Sequence, residues 1–262
     1  MASRTRTRSY DAAKIRAAVT AQFGHICDAV RELTPDQLGR GTGLGAWTVA
    51  DLAAHIAWIA DSLAAGLARP PAAVPELAAV EWPFATASLA GKIAEAAKET
   101  LEGAPLPELF EQAGARMEKA LAANPGHRVL DLWVGDMTLA DFLVTRAVEL
   151  VVHTDDLNRA AGTDIPIERQ ALAAGTRLLA DALALKAPGG SVELRIPPFA
   201  VVQCIEGPRH TRGTPPNVVE TDPLTWIRLA TGRTDWASAV ADAQVRASGE
   251  RADLAALLPV MS

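Results

Sequence analysis

The chain has 262 residues, 49% of them hydrophobic and 21% charged, which is ordinary for a globular protein and leaves ample material for a sizeable core. The formal net charge of -6 excludes a general nucleic-acid partner, which would need a concentrated positive surface. No run approaches the roughly 18 to 20 apolar residues of a membrane span, and the basic start (Arg4, Arg6, Arg8, Lys14, Arg16) has no apolar stretch behind it to act as a signal peptide. Two cysteines, Cys27 and Cys204, stand far apart without metal or redox spacing, as expected of small buried hydrophobes in a reducing cytoplasm.

In chain order, Ile15, Val19, Phe23, Ile26, Val30 and Leu33 recur at helical spacing and predict an amphipathic helix over 11–33. A glycine-rich loop, Gly39 to Gly45, follows. The next helix has a clear start, with Thr48 as N-cap, Asp51 completing an approximate capping box, and Trp47 placed to staple against Leu52. Pro70, Pro71 and Pro75 end it, and helical stretches are expected near 85–102 and 107–123. Arg128 to Val134 reads as extended. Met137-Thr-Leu-Ala-Asp-Phe142 then repeats the pattern of apolar residue, threonine cap, aspartate and apolar residue.

These two capped helices carry the residues of greatest chemical interest. His55 lies seven positions after Thr48, whereas Glu149 and His153 lie eleven and fifteen after Thr138. The offsets differ by fours, so the three side chains take nearly the same angular position relative to their caps. In an up-down-up-down bundle, the second and fourth helices run parallel and face each other across the core, where bundle metal sites are built. Two imidazoles and a carboxylate suit zinc, and three protein ligands leave a coordination position open. Asp156, three residues beyond His153, and Asp51, one turn before His55, are candidate acceptors for orienting the imidazoles, although capping explains Asp51 better. His25 and His127 lack such partners.

After Gly162 the texture changes. A helix is expected over 168–185, strands over 191–196 and 199–205, a helix capped by Asp222 with Pro223 at its first position and Gly232 as terminator, a strand over 244–249, and a final helix over 251–258. This predicts two domains, a four-helix bundle over 10–163 and a small α+β domain over 164–262. Arg209, His210 and Arg212 sit in a loop rich in glycine and proline and are candidates for binding an anionic group, with a solvated turn as the plainer reading. Trp226 and Trp236 are candidates for lining an apolar pocket, with core packing as the plainer reading.

Ala46-Trp-Thr-Val-Ala-Asp-Leu-Ala-Ala-His55 and Arg146-Ala-Val-Glu-Leu-Val-Val-His153-Thr-Asp-Asp-Leu157 together resemble the mycothiol-dependent maleylpyruvate isomerase family, whose metal-binding domain is a DinB-like four-helix bundle. The tail from Asp222 to Trp236, with Gln244 to Leu254, is similar to the sterol-carrier-like domain attached to this bundle in actinobacteria. The resemblance implies zinc on His55, Glu149 and His153, mycothiol as co-substrate, and an actinobacterial cytoplasmic enzyme acting as isomerase or S-transferase on a small electrophile. It also implies an arginine supplied by the carboxy-terminal domain, for which Arg195, Arg209, Arg212, Arg228 and Arg233 are all eligible. Two other readings stand beside it: a carrier of lipid or another hydrophobic ligand with a vestigial metal site, and a zinc hydrolase. A hydrolase would call for a general base beside the metal, and His-Glu-x-x-His is absent.

Overall fold

The computed structural model describes residues 8–85, 104–207 and 216–261. The chain divides into two compact units, one of Tyr10–Ala79 with Ser88–Ala171, the other of Val80–Ala87 and Leu172–Ser262 with Met1–Ser9. This division falls eight residues beyond the expected boundary at 163 and assigns Val80–Ala87 to the carboxy-terminal unit.

Among the described residues, four long helices build the amino-terminal unit: α1 (Ala12–Glu32), α2 (Val49–Ala68), α3 (Leu106–Ala122) and α4 (Leu139–Ala161). Asp11 starts α1, its carboxylate accepting from the amides of Ala13 and Lys14 at 3.0 Å. The expected capping box of α2 is present: the Thr48 amide donates to Asp51 at 2.8 Å, and the Asp51 amide returns to Thr48 Oγ1 at 3.2 Å. Thr138 caps α4 through the Asp141 amide at 3.1 Å, and Gly162 ends it at φ +69°, a left-handed conformation that suits glycine. The passage before α4 is a short antiparallel pair, β1 (Val129–Leu130) with β2 (Met137–Thr138), so Thr138 ends a strand and caps a helix at once. The helix expected over 85–102 lies almost wholly outside the described residues.

The bundle differs from simple up-down-up-down packing. Helix α1 packs on α3 and α4, and α2 packs on the same two, so the order around the bundle is α1, α3, α2, α4. The helices bearing the two motifs are therefore neighbours rather than diagonal partners. Sequence-adjacent α1 and α2 stand diagonally because the connection from Leu33 to Thr48, and likewise that from Ala123 to Thr138, is long enough to cross the end of the bundle. Leu52, Ile56, Ile59 and Leu63 of α2 and Phe110, Met117 and Leu121 of α3 are wholly buried, with the Phe23 ring stacked on Phe110 at 5.4 Å. Buried Gln22 on α1 is satisfied by Thr154 Oγ1 at 2.9 Å and Pro166 O at 3.2 Å, which ties α1 to α4.

Helix α5 (Arg169–Lys186) leads into the carboxy-terminal unit, a mixed sheet with short helices. Its strands are β3 (Val192–Ile196), β4 (Ala200–Cys204), β5 (Val218–Thr221) and β6 (Val245–Ser248), in the order β4-β3-β5-β6. Strand pairing is antiparallel for β3 with β4 and β5 with β6, while β3 and β5 run parallel. Helices α6 (Pro223–Ala230) and α7 (Trp236–Ala241) are capped by Asp222 and Asp235. Strand β5 and helix α7 were not anticipated from the sequence. The expected helix over 251–258 is reduced to a single 3₁₀ turn, Ala255–Leu257. Asp253 accepts from the Ala255 amide at 2.8 Å and so starts the turn late, while Pro259 holds Leu258 extended, leaving no room for a helix. Trp226 is 1% exposed, and its indole N–H donates to Thr176 O at 3.3 Å, so it packs in the core. Among the described residues, no helix is long and apolar enough to cross a membrane.

Candidate metal centre

The seam between α2 and α4 brings His55 and His153 together. Their ring centroids are 4.9 Å apart and the rings meet edge to face at 88°. Both residues are buried, at 4% and 9% exposure, although imidazole is polar. Two tryptophans hold the His55 ring. Trp58, one turn further along α2, stacks on it at 5.7 Å and 24°, and Trp47 lies tilted against it at 5.2 Å. Trp47, which precedes the Thr48 cap, thus reaches the imidazole as well. Helical spacing accounts for Trp58, since positions three apart share a face, and this signal was available in the sequence.

His153 is oriented from behind. Its Nδ1 lies 3.1 Å from Asp156 Oδ2, and Asp156 is wholly buried. Arg159 in turn donates to Asp156 Oδ1 at 2.6 Å and pairs with Asp155 at 3.2 Å. A carboxylate accepts, so this contact favours the proton on Nδ1 and leaves the lone pair of His153 on Nε2, one of the two nitrogens through which imidazole binds metals. Asp51 does what its spacing suggested and closes the capping box of α2.

Glu149 lies one turn before His153 on α4, and Arg146 holds it. The guanidinium places Nη1 at 2.9 Å from Oε2 and Nη2 at 3.2 Å from Oε1, a two-pronged pair. Arg146 is further fixed by Nε to Thr145 Oγ1 at 3.2 Å and by lying over the Phe142 ring, 4.5 Å from its centroid. Burial pushes the Arg146 pKa down, and the Glu149 charge opposes that shift. Both Glu149 oxygens are thus engaged by Arg146, and among the described residues no group of three His, Cys, Asp or Glu side chains is arranged to hold a metal ion. The pairing itself was legible as an i,i+3 couple.

Of the carboxy-terminal arginines, Arg195 pairs with Glu193 at 2.7 Å and Arg233 donates to Thr231 O at 2.9 Å. Arg209, His210 and Arg212 lie outside the described residues.

The family described as mycothiol maleylpyruvate isomerase N-terminal domain matches residues 19–158, more than half of the chain and the whole stretch that carries both motifs. The chain belongs to this family. Residues 168–260 match a second family, bacterial SCP ortholog, SCP denoting the sterol-carrier-like domain that the tail resembles. Among solved structures, a histidine-to-alanine variant of the mycothiol-dependent maleylpyruvate isomerase is similar over 92% of this chain and 96% of that one, with 18% identity and a TM-score of 0.58. Another crystal structure of the mycothiol-dependent maleylpyruvate isomerase gives 19% identity and a TM-score of 0.57 over the same shares. At that identity the likeness establishes the fold, a bundle followed by a sterol-carrier-like α+β domain. No curated protein matches the sequence. The mycothiol maleylpyruvate isomerase family is that of an enzyme, and the carry-over to this chain's chemistry rests on the side chains described above.

Proposed function

We propose that this protein is a metal-dependent enzyme that uses a low-molecular-weight thiol, mycothiol, to isomerise a small unsaturated electrophile. The observation that carries the reading is the pair of buried imidazoles, one from each motif helix, 4.9 Å apart with one of them set in its metal-ligating tautomer by Asp156. Glu149, on the same face of α4, completes a donor set of two imidazoles and a carboxylate, which fits zinc. On this reading the bundle, expected over 10–163, is the metal-binding domain, and the part expected over 164–262 is the sterol-carrier-like one.

When bound there, a zinc ion supplies the Lewis acidity that keeps a thiol deprotonated at neutral pH. The chain's own residues do the rest. The rings of Trp47 and Trp58 pack against His55, and the Arg159–Asp156 pair holds the His153 ring in place. The thiolate sulfur adds to a double bond conjugated with a carbonyl, forming a C–S bond while the electron pair moves to the carbonyl oxygen. Rotation about the resulting single bond and return of the electrons then break the C–S bond, give the trans isomer and release the thiolate unchanged. The cytoplasm, where such thiols are kept reduced, is the compartment that suits this chemistry.

The test is metal content of the purified protein, with isomerisation of maleylpyruvate followed with and without mycothiol. About one metal per chain, lost in His55→Ala, together with turnover only when thiol is present, is the expected result. Metal-dependent hydrolysis of a substrate without added thiol would instead mark a hydrolase, and a metal-free protein that binds apolar ligands would mark a carrier.

A further inference from the structure

The buried ion pair beside the imidazoles poses a problem of its own. Arg146 and Glu149 side chains are 8% and 13% exposed, and a carboxylate buried to that degree is costly unless a cation compensates it. A guanidinium meets the need well, because its planar fork engages both oxygens and it always keeps its charge. The fork is held by Thr145 and by the Phe142 ring, so it sits beside Glu149 as a fixed charge.

We propose that Arg146 is the stand-in cation of the metal-free protein: it neutralises Glu149 while no dication is bound, and by holding both carboxylate oxygens it opposes metal entry and so sets the affinity of the centre. The inference rests on Glu149 being a metal ligand, as proposed above. A dication reaching His55 and His153 must draw Glu149 away from the fork or share it, and in either case it works against a positive charge one carboxylate away. The same residue therefore supports the empty fold and weakens the loaded one, and these effects separate in experiment.

The test compares wild type, Arg146→Met and Arg146→Lys, titrated with Co(II) and Zn(II) against a chromophoric chelator, with melting temperatures recorded with and without metal. Methionine keeps much of the length and removes the charge. Its metal dissociation constant is expected to fall about tenfold or more, while the metal-free melting temperature falls by roughly 10 °C, as breaking a buried pair requires in a chain of this size. Metal should then restore most of that loss, so the rise in melting temperature on loading is larger than in wild type. Arg146→Lys, with one point charge in place of a fork, is expected to fall between the two. A methionine variant that folds only when metal is supplied is the extreme form of the same result. Should it fail to fold at all, the lysine variant decides, by binding metal more tightly than wild type. Unchanged or weaker metal binding in the folded variants overturns the inference, because Arg146 would then be orienting Glu149 for the metal. Wild type that shows no Co(II) absorption bands and no chelator competition fails in a different pattern, one that removes the metal reading itself.

Discussion

Removing the carboxylate behind His153 tests whether the imidazole is oriented for a metal. Asp156→Ala deletes a wholly buried acceptor that faces His153 Nδ1 at 3.1 Å and Arg159 at 2.6 Å. Losing such an outer partner costs roughly 10- to 100-fold in metal affinity, about 1.4 to 2.8 kcal/mol at about 1.4 kcal/mol per decade. The stability cost is smaller than the two bonds suggest. Arg159 is 43% exposed at its side chain and keeps Asp155 at 3.2 Å, so water and that partner take over its charge, and the cost falls mainly on the buried imidazole, about 1 to 3 kcal/mol. Asp156→Asn retains an acceptor for Nδ1–H and is expected to lose less than about tenfold in affinity. The assay is competitive Co(II) titration of the three proteins alongside His55→Ala. Binding by Asp156→Ala within twofold of wild type, while His55→Ala loses the metal, would refute the orienting role.

Two further outcomes are expected. Thr48→Ala removes the hydroxyl that accepts from the Asp51 amide while the Thr48 amide keeps its bond to the Asp51 carboxylate, and it lowers stability by about 1 kcal/mol, measured by urea unfolding; no change would mean that α2 is positioned by packing alone. Burial pushes the Cys27 thiol up to about 12 and the Cys204 thiol up to about 11, so neither forms thiolate near neutrality. Alkylation at pH 7.5 is therefore expected to be slow in the folded chain and fast after denaturation, and rapid labelling of the native protein would reopen a role for an internal sulfur nucleophile.

The sequence was most legible where local rules decide the structure. Threonine caps, proline stops and four-residue spacings placed α2 and α4 within a residue or two, because caps and backbone restrictions act over a single turn. It was least legible where distant segments decide. The order of helices around the bundle depends on what loops can span, and β5 is short and gains its meaning only from parallel pairing with β3. The same holds at the site. His55 and His153 could be paired from their offsets to the caps, but the spacing that let Glu149 face a metal also let Arg146 reach it, and periodicity alone carries no preference between a cation in the chain and one from solution. The final turn departs from its helical pattern because the Asp253 side chain and Pro259 act together within a few residues, leaving an apolar stretch that looks helical no length in which to be one.

The order of helices around the bundle bears on how the centre comes into being. His55 and His153 are 98 positions apart in the chain, and each lies on the far side of a connection that crosses the bundle end. Bringing them together closes a loop of that length, an entropic demand of about 4 kcal/mol on the logarithmic scaling alone, met only as α1 and α3 fill the two flanks. No hairpin of consecutive helices contains both rings. A nascent chain therefore has no two-imidazole seam until α4 has left the ribosome, and half-made bundles offer a passing metal only single histidines.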